Sequence, residues 1–215
     1  MVPCRTHPRR HSAVSAGHVL LSGGGTTLQN ILDCCQSGRI DARVIAVVSS
    51  RPGVGGLARA ERAGVPALLV ERKAHPDTPA FSAALAAALA PHKPDLVCMA
   101  GFMSLWTIPE EYQGRVMNIH PALIPAFCGH GFYGHHVHEA VLAAGAKVSG
   151  ATVHFADNQY DHGPIILQRA VPVLEGDTPD SLAARVHCVE NELYPEAIQL
   201  FAEGRLVIEA GACAF

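Results

Sequence analysis

Asn118 and His120 stand two residues apart in Asn118-Ile119-His120-Pro121, and Asp161 follows later in Asp161-His162-Gly163-Pro164. Side chains alternate across an extended segment, so the amide of Asn118 and the imidazole of His120 share one side of it. An amide N–H can bind an oxyanion, and an imidazole can take or give a proton. Side by side they equip a site for acyl transfer through a tetrahedral intermediate. If the fold brings Asp161 near, its carboxylate sets the protonation of His120, because a neighbouring anion favours imidazolium. The expectation is a protonated His120 beside Asn118, with Asp161 supporting the charge. Pro121 and Pro125 stiffen the backbone that follows.

Three further groups of residues surround this pattern. The run Ser22-Gly23-Gly24-Gly25-Thr26-Thr27 ends a short apolar segment and opens a helical one, which turns backbone N–H groups and a helix dipole toward an anion. It has neither the Gly-x-Gly-x-x-Gly pattern nor the Gly-Lys-Ser/Thr ending of a P-loop, so it suits a single phosphate rather than a triphosphate. A tight turn without a ligand would use the same residues. Met103-Ser104-Leu105-Trp106 contains the only tryptophan and follows an apolar strand; it suits a flat heterocycle or ordinary packing under a loop. His130, His135, His136 and His138 crowd a glycine-rich stretch but lack His-Glu-x-x-His or finger spacing, so a mobile loop beside the substrate is expected and not a metal site.

These residues need elements to position them, and the chain alternates short apolar strands with helices. Strands are expected at 18–22, 44–49, 65–70, 96–100 and 115–120, with helices at 26–37, 57–63 and 80–90, the last ended by Pro91. That alternation predicts one doubly wound, mostly parallel sheet covered on both faces, with ligands beyond the carboxyl ends of its strands. The second half changes character. A helix is expected at 137–144, and antiparallel strands at 148–155 and 165–173. A long helix, capped by Asp177 or Thr178, runs to about Ala202, with Leu182, Val186, Val189, Leu193 and Ile198 as its core stripe.

Composition narrows the class. The chain has 215 residues and 49% hydrophobic content, enough for one well-cored domain over 18–215. Lys+Arg 16 against Asp+Glu 19 leaves no basic surplus for a nucleic-acid partner, and no apolar run is long enough to span a membrane. The seven cysteines are odd in number and include no Cys-x-x-Cys, which fits reduced thiols and a cytoplasmic setting. Residues 1–17 carry Arg5, Arg9 and Arg10 with no acid and no hydrophobic periodicity, and read as a disordered extension.

The chain resembles the phosphoribosylglycinamide formyltransferases, folate-dependent enzymes of purine synthesis, from His18 to about Leu206. The resemblance is carried by 21–29, Ala100-Gly101-Phe102-Met103, 118–127, Thr152-Val153-His154-Phe155, 161–167, Ala184-Arg185-Val186, Glu190 and Tyr194-Pro195. It implies a Rossmann-like formyltransferase fold with Asn118, His120 and Asp161 at the catalytic positions. It also implies that Gly25, Thr26 and Thr27 bind the phosphate of glycinamide ribonucleotide, that Glu190 contacts the same substrate, and that Met103, Ser104, Leu105 and Trp106, with Asn118, hold the folate. His154 matches a supporting histidine behind the trio.

The implied reaction moves the formyl group of 10-formyltetrahydrofolate to the substrate amine, with no metal, no membrane and no nucleic acid; a homodimer is compatible. The chain departs from the family pattern at Thr27, which replaces an Asn, and at Ser104 and Trp106, which replace an Arg and a smaller aliphatic. It also departs near Thr78, where many members place an Arg toward the folate, in the longer loop 128–138, and at His162. Two other readings fit the same residues: a hydrolase that releases formate from 10-formyltetrahydrofolate, and a non-catalytic folate- or nucleotide-binding module.

Overall fold

The computed structural model describes residues 15–209 and 211–215. Along the chain, strand β1 spans Ser15–Leu21, β2 Ala42–Ser49, β3 Ala67–Leu69, β4 Leu96–Met99, β5 Val116–His120, β6 Val148–Phe155 and β7 Ile165–Pro172. Helices α1 Thr26–Gln36, α2 Gly55–Arg62, α3 Thr78–Leu89, α4 His135–Ala143 and α5 Pro179–Ala202 alternate with them. The seven strands form one sheet in the order β3-β2-β1-β4-β5-β6-β7. The first five run parallel, and β6 and β7 are antiparallel to their neighbours. This is the doubly wound sheet expected from the sequence. A two-stranded hairpin, β8 Val207–Glu209 with β9 Ala212–Ala214, was not expected, because its strands are too short to show a period.

Strand alternation divides the core into two layers. Val19, Leu21, Val47, Cys98 and Met117 face α1 and α5 together with Leu28, Ile31, Leu182, Val186, Leu193 and Ile198. Leu20, Val48, Val97 and Val116 face the other way, onto Phe81, Leu85 and Leu89 of α3. Apolar residues on both faces are what a parallel strand covered by helices needs. The long helix α5 is capped by Thr178, whose hydroxyl accepts from Ser181 N–H at 3.2 Å while Ser181 Oγ accepts from Thr178 N–H at 3.0 Å. Asp177 instead pairs with Arg185 at 2.8 Å.

Residues 1–14 of the expected extension lie outside the described residues, while Ser15, Ala16 and Gly17 belong to β1, paired with 42–44 of β2. The chain winds outward from β1 to β3, then returns to the other side of β1 with β4. At such a switch point the loops leave in opposite directions and open a crevice beyond the strand ends. Ser22 pins three of these loops: its N–H donates to Gly101 O at 3.0 Å, its hydroxyl accepts from Met103 N–H at 2.9 Å, and it bonds Ser50 Oγ at 2.6 Å.

From the other side, Tyr194 of α5 shares its one hydroxyl proton between Met99 O at the end of β4 and Met117 O within β5, each 3.0 Å away. Tyr194→Phe leaves these carbonyls without that donor. It is expected to cost about 1–3 kcal/mol in urea unfolding, the usual penalty for an unmade buried hydrogen bond; no change in the unfolding midpoint would show that the hydroxyl does not hold the two strands.

Candidate functional site

Asn118 and His120 occupy the end of β5, where Asn118 faces His154 and His120 faces Thr152 across the antiparallel pair with β6. His120 and His154 are buried. His154 donates from Nδ1 to Phe155 O at 3.0 Å, which leaves Nε2 to accept from Asn118 Nδ2 at 3.2 Å. The second amide hydrogen of Asn118 points to Asp161 Oδ1 at 3.3 Å. Both amide bonds are longer than the usual 2.9–3.0 Å. Either is weak enough to be exchanged for a better acceptor, such as an oxyanion.

Asp161 reaches the cluster from the loop between β6 and β7. Its other oxygen, Oδ2, accepts from Gly129 N–H at 2.9 Å and lies 3.4 Å from His120 Nδ1. On the far side of the ring, His120 Nε2–H donates to Phe127 O at 2.8 Å. That bond assigns the neutral ring's proton to Nε2, so Nδ1, facing the carboxylate, is the atom that titrates. The loop approaches β6 closely at Gly163, where a Cβ would fall 1.9 Å from Phe155 O.

Phe127 (φ 51°) and Asp161 (φ 51°) both adopt the left-handed backbone region. Asp enters it with little penalty, whereas Phe does so at about 1 kcal/mol or more. Two such residues meeting on one histidine mark a site held against local preference.

The electrostatics correct one expectation. Burial is the largest influence on His120 and lowers its pKa below the ordinary imidazole value. Asp161 and the Phe127 carbonyl oppose it without overcoming it. His120 is therefore neutral in the resting protein at pH 7, rather than held as imidazolium, because removing the ring from water disfavours charge more than one carboxylate at 3.4 Å restores it. Burial also works to raise the Asp161 carboxyl, but His154, His120 and the Gly129 N–H together outweigh it and hold Asp161 below the usual carboxylate range. His154 Nε2 is 3.8 Å from Asp161 Oδ1.

Glu190, on α5, belongs to the same surroundings, since its charge raises the pKa of both His120 and His138. Its Oε2 lies 3.1 Å from Nδ1 of His187, and this bond raises the His187 pKa. His138 is buried with Nδ1 unpartnered among the described residues, and burial lowers its pKa. Phe127, Gly129 and His187 are site residues that the sequence reading missed. The i,i+3 spacing of His187 and Glu190 on a helix was a legible signal; the two backbone contacts to the trio left none.

A cavity of about 840 Å³ opens beyond the strand ends. Ser22, Met103, Ser104, Leu105, His130 and Tyr160 line it on one side, and Arg51, Arg72, Lys73 and Thr78 line it toward β2 and β3. The trio adjoins it through chain neighbours, since Tyr160 of the lining precedes Asp161 and His130 follows Gly129, whose N–H donates to Asp161. Three residues of the expected heterocycle patch therefore border the cavity, but Trp106 does not. It is 1% exposed and packs on Tyr112 at 5.9 Å within the α3-side core, because the chain turns inward after Leu105 and that layer takes its largest ring from here. Gly25 is the N-cap of α1, with no side-chain cap, so the N–H groups that open the helix at Thr26 and Thr27 are not spent on one. The histidine-rich stretch divides: His130 stacks edgewise on Tyr160 at the cavity, His135 pairs with Asp180, and His136 with Glu139.

Residues 18–198 match the formyl transferase family. The phosphoribosylglycinamide formyltransferase of Escherichia coli is 38% identical over 196 residues, which cover 90% of this chain and 90% of that protein. The bovine trifunctional purine biosynthetic protein adenosine-3 is 40% identical over 188 residues, 86% of this chain; the chain spans only 18% of that protein's length. The crystal structure of glycinamide ribonucleotide transformylase 1 from Symbiobacterium toebii superposes with a TM-score of 0.88 at 50% identity, covering 94% of each chain.

In an NMR titration, His120 is expected to titrate below the ordinary imidazole value. Asp161→Asn is expected to lower that pKa further, because it removes an influence that raises it. A His120 that titrates above the ordinary value, or one that ignores Asp161→Asn, would reverse the balance between burial and the carboxylate.

Proposed function

The chain belongs to the formyl transferase family, and from that premise we propose that it is a phosphoribosylglycinamide formyltransferase acting in the cytoplasm. It moves the formyl group of 10-formyltetrahydrofolate to the primary amine of glycinamide ribonucleotide. The observation that carries this reading is the convergence of Asn118, His120 and Asp161 at the end of β5, with the Asp161 carboxylate 3.3 Å from Asn118 and 3.4 Å from His120. A donor, a proton carrier and an anion are what the transfer of an acyl group to an amine requires.

The amine nitrogen attacks the formyl carbon, and the carbonyl oxygen becomes an oxyanion. Asn118 Nδ2 turns one of its long bonds onto that oxygen. His120 starts neutral and accepts the amine's proton at Nδ1, where Asp161 stabilises the imidazolium that forms. The intermediate then collapses: the bond from carbon to N10 of the folate breaks, and His120 returns the proton to N10. One formyl group and one proton have changed places, and the trio is restored. His154 orients Asn118 from behind.

The phosphate of the ribonucleotide lies at Gly25, Thr26 and Thr27, against the opening N–H groups of α1. Glu190, with His187, faces the rest of that substrate. The folate lies along the cavity with its ring system against Met103, Ser104 and Leu105. Arg51, Arg72 and Lys73 place positive charge near Thr78, where many family members have an Arg.

His120→Ala is expected to lower turnover by about 10²–10⁴ while leaving the fold intact by circular dichroism; near wild-type turnover would sink the mechanism. Thr27→Asp is expected to raise KM for the ribonucleotide far more than KM for the folate, because it sets an anion against an anion. Equal effects on both would contradict the phosphate assignment. An absorbance assay of folate turnover with and without the ribonucleotide separates transfer from hydrolysis: turnover that does not depend on the ribonucleotide would favour the hydrolase.

A further inference from the structure

Arg59 has no part in the chemistry above, yet two of its donors are spent at the glycine run and the helix it opens. Its Nε–H donates to Gly24 O at 3.0 Å, and its Nη1 donates to Gln29 Oε1 at 3.2 Å. The residue comes from α2, whereas the run joins β1 to α1. A second tie lies beside it, where Gly56 N–H donates to Gly23 O at 3.1 Å. The two turns touch backbone to backbone. A Cβ on Gly25 would fall 2.6 Å from Gly56 Cα, and one on Gly56 would fall 2.5 Å from Leu21 Cδ2, so neither position has room for a side chain.

A trans peptide points its C=O and its N–H in opposite directions. With the Gly23 carbonyl drawn to Gly56, the N–H of Gly24 faces away from α2. With the Gly24 carbonyl drawn to Arg59, the N–H of Gly25 does the same. The Gly25 carbonyl accepts from Gln29 N–H at 2.9 Å inside α1, so Thr26 N–H points out of the helix start. Successive N–H groups freed in this way form an anion-binding nest.

We propose that Arg59 is the positioning residue of the phosphate site. It holds the Gly24–Gly25 peptide in the orientation that presents Gly25 N–H to the anion, and its guanidinium adds positive charge beside the nest. The inference rests on the reading of this run as the ribonucleotide's phosphate site. A lysine would keep the charge but lacks the planar fork that reaches Gly24 O and Gln29 at once.

The test compares glycinamide ribonucleotide with its dephosphorylated nucleoside as substrates for wild type, Arg59→Leu, Arg59→Lys and Thr27→Asp. Arg59→Leu is expected to raise KM for the ribonucleotide roughly 10- to 100-fold, the size of a lost hydrogen-bonded charge. The rise should be confined to the phosphorylated substrate, and Arg59→Lys should recover only part of it. An unchanged ribonucleotide KM in the Arg59 variants, with Thr27→Asp raising it, would overturn the role of Arg59 and leave the phosphate site standing. An equal rise for nucleotide and nucleoside would also overturn it. Should Arg59→Leu fail to fold, Arg59→Lys decides alone, and an unchanged KM there overturns the proposal. If Thr27→Asp itself leaves the ribonucleotide KM unchanged, the phosphate reading fails.

Discussion

A carboxylate cannot be taken out of water unless donors meet its oxygens, and the arrangement around Asp161 answers that requirement. Oδ1 is met by Asn118 and Oδ2 by the Gly129 N–H. Each donor comes from a different segment, so satisfying one side chain fixes β5, the 127–130 segment and the β6–β7 loop relative to one another. Gly163 allows that loop its close approach to β6, and the left-handed backbone of Asp161 aims the carboxylate inward.

That cluster stands on a sheet whose layers are set by alternation. Odd and even residues of β1, β2, β4 and β5 serve opposite cores, so the strand ends arrive with little freedom. Tyr194 ties β4 to β5 from the α5 side, and Ser22 ties the loops after β1, β2 and β4 from the crevice side. A site assembled from several loops is therefore held by bonds to rigid elements, which is what keeps reacting groups within reach of each other.

Desolvation gives the site its chemical character. A histidine kept neutral by burial but placed beside an anion is a proton acceptor whose charged form becomes favourable only when a proton arrives. The same burial keeps Asp161 dependent on its donors, and their combined effect keeps it ionised. Base and anion are thus complementary halves of one environment.

The local parts of this design were legible in the sequence. The strand–helix alternation, the antiparallel pair 148–155 and 165–173, the Thr178 cap and the α5 stripe all follow from periodicity and capping chemistry, which depend on near neighbours. The shared face of Asn118 and His120 follows from the same alternation. Tertiary structure decided the rest. Asp161 meets Asn118 across 43 residues of chain, and nothing local sets that distance. Trp106 went to the core rather than the cavity, packing on Tyr112 in the layer that α3 covers, and its place there depends on contacts distant in sequence. Phe127 and Gly129 act through backbone groups, which every residue type carries. The protonation of His120 turned on the contest between burial and a carboxylate, and burial is a property of the whole fold, not of a motif.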